Sequence, residues 1–176
     1  MTSRAEPRII IVGPARHGKD TLAELLRDRY GWTFASSSHW VAKHFGREYL
    51  AEHYGLEYDT LQACLDDRIH HRDKWYKACR DYNKGDLGRL TNDILAEYNI
   101  YVGMRGRDEL KAVEDSVDLV IWIEAPNRIG GNPDARQIKT NNLIRREDAD
   151  IIIENDGTIL DLITQLPHIK ELVTWN

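Results

Sequence analysis

Gly13-Pro14-Ala15-Arg16-His17-Gly18-Lys19-Asp20-Thr21 is the stretch on which the reading of this chain turns. The apolar run Ile9-Ile10-Ile11-Val12 precedes it and Leu22-Ala23-Glu24-Leu25-Leu26 follows, so a buried strand enters a glycine turn and leaves it as an amphipathic helix. Gly13 and Gly18 let the backbone curl until successive N–H groups face phosphate oxygens, and the positive end of the following helix adds to the attraction. Lys19 extends that cradle toward the β and γ phosphates of a nucleoside triphosphate. An ordinary strand-to-helix turn has no need of a lysine there. Gly13, Arg16, His17, Gly18, Lys19, Asp20 and Thr21 are therefore expected to hold the triphosphate.

One position departs from the usual pattern. Such loops carry Ser or Thr directly after the lysine as a Mg²⁺ ligand, whereas this chain has Asp20, with Thr21 one place later. Asp20 and Thr21 are expected at the metal. Asp20, next to the γ-phosphate, is equally placed to act as a base, and a third reading makes it a favourable charge in the first turn of the helix.

The remaining composition narrows the class. With 176 residues the chain has room for one substantial core, and 41% hydrophobic with 30% charged residues is ordinary for an α/β protein. No run approaches the ~20 apolar residues of a membrane span, and residues 1–7 lack the apolar core of a secretion signal, which points to the cytoplasm. Cys64 and Cys79 lack the close pairing of a zinc or redox motif and read as packed thiols. The net charge of −5 gives no global attraction to nucleic acid, although basic residues cluster at 68–89 and 128–146.

Further strands are expected at 32–35, 100–104, 117–123 and 149–153. Ser36, Ser37 and Ser38 close the first of these; they either cap the next helix or, at a strand's carboxyl end, face a substrate. Residues 39–98 are helical in pattern, broken at Tyr54-Gly55 and Lys84-Gly85-Asp86, and are expected to bind a phosphoryl acceptor. Within them Arg68, His71 or Arg72, and Trp75 fall on successive turns of one helical face. That grouping suits a nucleotide, with arginines for phosphate and an indole for stacking, or else a solvated face with the tryptophan turned inward. His70 and His71 diverge by about 100° on a helix and are not expected to share a metal.

Arg105 ends the third strand and is expected to grip an acceptor or the transferred phosphate, with an ion pair to Glu109 as the rival reading. Glu124 follows the fourth strand where a Mg²⁺-positioning carboxylate is found in triphosphate-binding enzymes, or it orients the loop that Ala125-Pro126 begins. Residues 127–148, with Arg128, Arg136, Lys139, Arg145 and Arg146, read as a basic lid, and Arg136 is expected at the phosphates. Asn155 and Gly157, in the turn after the fifth strand, lie on the same edge as the glycine loop; the backbone there is expected to pack on the adenine, or else Asn155-Asp156-Gly157 is simply a turn signal.

The order of elements resembles the nucleoside monophosphate kinase branch of P-loop folds, with the glycine loop first and the lid late. Gly18-Lys19-Asp20-Thr21 is similar to the variant in phage deoxynucleoside monophosphate kinases. A wider set resembles the phage 5-hydroxymethyluridine DNA kinases: Ser36-Ser37-Ser38, Asp67-Arg68 with His71-Arg72 and Trp75, Tyr82-Asn83, Tyr101 to Arg105 with Glu109, Ile121-Trp122, and Asn155 with Gly157-Thr158. The resemblance implies a single P-loop kinase domain over 1–176, α/β in class. It would have a five-stranded parallel sheet flanked by helices, an acceptor-binding insertion at 39–98 and a lid at 127–148.

It also implies ATP and Mg²⁺ as cofactors and the cytoplasm of a phage-infected bacterium as the setting. The acceptor would be the 5-hydroxymethyl group of the modified pyrimidine in phage DNA, a step toward thymine hypermodification; the alternative is a free deoxynucleoside monophosphate. An alcohol acceptor must lose a proton as it attacks, which draws attention to the carboxylates Asp20 and Asp67. A base in DNA must also leave the stack, and Trp75 or Trp40 is expected to stack on it or fill the gap.

Overall fold

The computed structural model describes residues 6–131 and 134–175. Five apolar runs form strands: β1 (Ile9–Val12), β2 (Phe34–Ser36), β3 (Ile100–Val102), β4 (Leu119–Glu124) and β5 (Ile151–Glu154). They make one parallel sheet in the order β2-β3-β1-β4-β5. The central strand pairs on both sides, Ile9 lying opposite Ile100 and Leu119. Both its faces are covered, which is why an unbroken Ile-Ile-Ile-Val run serves where an alternating one would leave polar groups inside.

Its alternate side chains enter two cores. Ile10 and Val12 join Trp40, Leu50, Trp75, Ile94 and Trp122 on one face. Ile9 and Ile11 meet Leu22, Leu26, Leu162, Leu166 and Ile169 on the other. Because the strands are parallel, the chain leaves every one of them at the same edge, and the register aligns Ser36 with Val102 and Glu124 with Glu154.

Helix α1 (Lys19–Tyr30) leaves the glycine loop and ends at Gly31, whose N–H donates to the Arg27 carbonyl. Between β2 and β3 the chain is helical: α2 (Ser37–Val41), a π segment (Ala42–Gly46), α3 (Arg47–Tyr54), α4 (Leu61–Asp67), a 3₁₀ turn (Arg68–His70), α5 (Arg72–Tyr82) and α6 (Arg89–Glu97). The single helical face expected to carry Arg68, His71, Arg72 and Trp75 does not form. His71 leaves helical conformation at φ −133°, ψ 36°, so the 3₁₀ turn and α5 point their side chains independently.

Helix α7 (Arg107–Lys111) is short. The basic segment holds α8 (Pro126–Ile129), α9 (Asp134–Gln137) and a 3₁₀ turn (Arg146–Asp148). It is packed down rather than detached: Ile138 and Ile144 are buried, Gln137 Nε2 donates to the Ile69 carbonyl at 3.2 Å, and Ile144 N–H donates to the Arg105 carbonyl at 2.9 Å. Helix α10 (Ile159–Trp175) starts from a reciprocal cap, Thr158 N–H to Asp161 Oδ2 at 2.7 Å and Asp161 N–H to Thr158 Oγ1 at 3.3 Å. No described helix is long and apolar enough to cross a membrane.

Candidate active site

The glycine loop closes over the carboxyl end of β1. Gly13 (φ +137°) and Gly18 (φ +101°) occupy backbone conformations that side chains resist. A Cβ on Gly13 would stand 2.2 Å from the Ile123 carbonyl oxygen, and one on Gly18 2.2 Å from Asn155 Nδ2. Arg16 takes a left-handed φ of 71° between them. Lys19 Nζ donates to the Gly13 and Pro14 carbonyls at 2.8 and 2.7 Å, so the ammonium lies across the cradle it is expected to serve.

His17 and Asn155 brace this loop from behind. The imidazole is 2% exposed, and its Nδ1 accepts the Ala125 N–H at 2.8 Å. Burial lowers its pKa and Lys19 lowers it further, so the ring is neutral and Nδ1 carries the lone pair this bond needs. Asn155, also buried, donates from Nδ2 to the His17 carbonyl at 3.0 Å and from its backbone N–H to the Glu124 carbonyl at 2.7 Å. In this arrangement both residues hold the loop through side chains that the sequence reading directed at the nucleotide. Gly157 lies in the same turn, tight against Asp161.

A cleft of about 350 Å³ opens in front of the loop. Arg16, Lys19 and Asp20 line one side, Ser36, Ser37, Ser38, Gly103 and Arg105 the floor, and Leu65, Asp66, Arg68, Ile69 and Arg72 the far wall. A larger cavity of about 590 Å³ lies elsewhere, between α7 and the β4–β5 edge around Arg107, Lys111, Asp118 and Asp150. It includes no residue of the glycine loop, and the chemistry converges on the smaller one.

Ser36 Oγ accepts the His39 N–H at 3.1 Å and caps α2, Ser37 Oγ donates to the Gly103 carbonyl at 3.2 Å, and Ser38 is bonded to the Arg68 guanidinium, while all three face the cleft. Arg105 curls back so that its guanidinium donates to the Gly103 carbonyl at 3.1 Å, and the Ile144 bond fixes its backbone.

Trp75, Trp40, Asp67, His71, Glu124 and Arg136 do not line the cleft. Trp75 is 5% exposed and belongs to the core with Trp40, so neither indole presents a stacking face to the cleft. Asp67 turns away: its Oδ2 accepts from Tyr58 at 2.7 Å and lies 3.2 Å from His71 Nε2, which takes His71 out of the wall as well. Glu124 is engaged at both oxygens, accepting from Trp122 Nε1 at 2.7 Å and Arg146 Nε at 2.9 Å. Burial acts to raise its pKa, but those two bonds outweigh it and the net shift is downward. Through Arg146 it ties the end of β4 to the 3₁₀ turn of the basic segment. Arg136 is exposed on α9.

The acidic residue that replaces Asp67 in the cleft is Asp66, held by Gln62 Nε2 at 2.7 Å. Neighbours on a helix differ by about 100° in direction, and nothing in Asp66-Asp67 as a sequence says which one faces inward.

Among the described residues no group of three or more His, Cys, Asp or Glu side chains could hold a metal unaided. The exposed Asp20 carboxylate, beside Lys19 in the cleft, does fit Mg²⁺, which is commonly held by one or two carboxylates together with substrate phosphates.

No protein family profile and no curated protein matches the sequence. Solved structures do match along nearly the full length. The shikimate kinase of Acinetobacter baumannii, determined with shikimate, aligns with a TM-score of 0.53 at 17% identity over 98% of this chain and 95% of its own. The shikimate kinase of Aquifex aeolicus gives 0.52 at 15% identity over 93% and 96%. TT1252 from Thermus thermophilus gives 0.50 at 19% identity over 94% and 97%. At such identities the likeness is one of architecture, and with the parallel sheet and glycine loop described above it establishes that this chain has the P-loop kinase fold.

Proposed function

We propose that the protein is an ATP- and Mg²⁺-dependent phosphotransferase whose acceptor is the 5-hydroxymethyl group of 5-hydroxymethyluracil in DNA. The observation that carries this reading is the pairing of carboxylates in the cleft, Asp20 beside Lys19 and Asp66 on the facing wall. A monophosphate acceptor arrives as an anion and needs only cations to hold it. An alcohol must give up a proton, and a carboxylate on the acceptor side supplies its destination.

Lys19 leaves the Gly13 and Pro14 carbonyls for the β and γ phosphates, and the loop N–H groups hold their oxygens. Asp20 would hold Mg²⁺, which would supply neutralisation of the developing phosphate charge. The acceptor lies against Ser36, Ser37, Ser38, Arg68, Arg72 and Arg105. Its hydroxyl oxygen forms the new bond to the γ-phosphorus, the bond from that phosphorus to the bridging oxygen breaks, and the proton passes to Asp66. Asp20, in the first turn of α1 where the helix dipole favours negative charge, serves the metal side. Asp66, in the last turn of α4, faces the acceptor side of the cleft.

The second reading, a deoxynucleoside monophosphate kinase, draws on Arg68, Arg72 and Arg105 lining one cleft, a wall suited to an anionic acceptor. Incubation with γ-labelled ATP and hydroxymethyluracil-containing duplex, beside unmodified duplex and the free deoxynucleoside monophosphates, separates the two. Label in the modified duplex alone is expected; label only in free nucleotides selects the second reading, and ATP turnover that no acceptor stimulates rejects both.

A further inference from the structure

The brace behind the glycine loop has a consequence for nucleotide binding that does not depend on the acceptor. A peptide unit is planar and trans, so its C=O and N–H point in opposite directions. Asn155 Nδ2 holds the His17 carbonyl at 3.0 Å. The other end of that same peptide, the Gly18 N–H, is thereby aimed away from Asn155. The His17 ring fixes the second coordinate: Nδ1 on the Ala125 N–H at 2.8 Å ties the residue to the start of α8, and Asn155 is itself tied to the Glu124 carbonyl at 2.7 Å. The loop is thus held at one residue by the ends of two strands, β4 through the imidazole and β5 through the amide.

The outer nitrogen, Nε2, is buried, and the Gly130 backbone acts on the ring as a hydrogen-bond partner that opposes the fall in its pKa.

We propose that His17 is a positioning residue for the triphosphate, acting with Asn155 to orient the peptide between His17 and Gly18 so that its N–H meets a phosphate oxygen. His17 touches no reacting atom; it acts through the peptide it anchors. Asparagine is the conservative replacement, because its Oδ1 can accept the Ala125 N–H much as Nδ1 does, whereas alanine leaves that N–H unpaired.

The test measures direct binding of a fluorescent ATP analogue, alongside far-ultraviolet circular dichroism and thermal unfolding, for H17A, H17N and the wild-type protein. H17A is expected to fold and to bind the analogue about tenfold or more weakly, the effect of one misdirected donor, with H17N recovering to within about threefold of wild type. H17A binding as tightly as wild type overturns the proposal. So does H17N binding no better than H17A, or an H17A that unfolds while H17N folds and binds poorly. Because the readout is nucleotide binding, it stands whichever acceptor is phosphorylated.

Discussion

Replacing Gly18 with alanine probes the loop and its brace together. Gly18 has φ +101°, and an added methyl would stand 2.2 Å from Asn155 Nδ2. The left-handed backbone alone costs a side-chain-bearing residue about 1–2 kcal/mol. Asn155 is 8% exposed and has no room to retreat, so making space breaks its bond to the His17 carbonyl and strands a buried amide, for about 1–3 kcal/mol more. The sum is about 2–5 kcal/mol, or a Tm lower by about 4–20 °C for a chain of this size.

The two contributions separate in a double-mutant cycle with Asn155→Ala, measured by denaturant unfolding. Once the amide is gone the methyl has nothing to strike. Gly18→Ala is then expected to cost only the backbone strain, leaving a coupling of about 1–3 kcal/mol between the two positions. A Gly18→Ala protein as stable as wild type, or a penalty unchanged in the Asn155→Ala background, refutes the claim that this amide is packed against the loop.

Lys19→Ala is expected to lower phosphoryl transfer by about a hundredfold or more while unfolding within a few degrees of wild type; retained transfer would remove the lysine from the phosphates. Asp66→Asn is expected to cut turnover on an alcohol acceptor by about a hundredfold with little change in ATP affinity, against a few-fold loss for Asp67→Asn, and the reverse order in steady-state kinetics would return the base to Asp67. Arg105→Ala is expected to raise KM for the acceptor more than for ATP, and equal effects would place it outside the acceptor wall. The Glu124 pKa is lowered from 4.5, so its contribution to stability is complete above that pH and is lost as pH falls through the folded-state value. Glu124→Gln should flatten the acid limb of the stability profile, and an unaltered limb would contradict the shift.

The architecture was legible because its signals are strong and local. Continuous apolar runs such as Ile9 to Val12 can be satisfied only between two covered faces, and the glycine loop with Lys19 has few other uses. The wall of the cleft was less legible. A helical projection from Arg68 to Trp75 assumes one unbroken helix, and the chain turns at His71 without a glycine or proline to announce it. That turn puts Trp75 in the core, and the choice of Asp66 over Asp67 at the cleft rests on helix neighbours that differ by about 100° in direction.

The lid showed the opposite fault, an overlooked signal. Ile138 and Ile144 are isolated apolar residues in a polar stretch, and their burial against the rest of the fold is what holds residues 138–144 down. His17 and Asn155 read as nucleotide contacts because they lie in nucleotide-binding motifs; only the distances reveal that they act from behind the loop.

The position of the transferred phosphate distinguishes the acceptors most directly. After reaction with γ-labelled ATP and a hydroxymethyluracil-containing duplex, the DNA is digested to nucleosides under conditions that spare phosphomonoesters at the 5-methylene, and the labelled product is separated by chromatography and weighed by mass spectrometry. Label is expected on the modified pyrimidine nucleoside, at the oxygen of its hydroxymethyl group. Label found only at DNA termini or in free nucleoside diphosphates would contradict it.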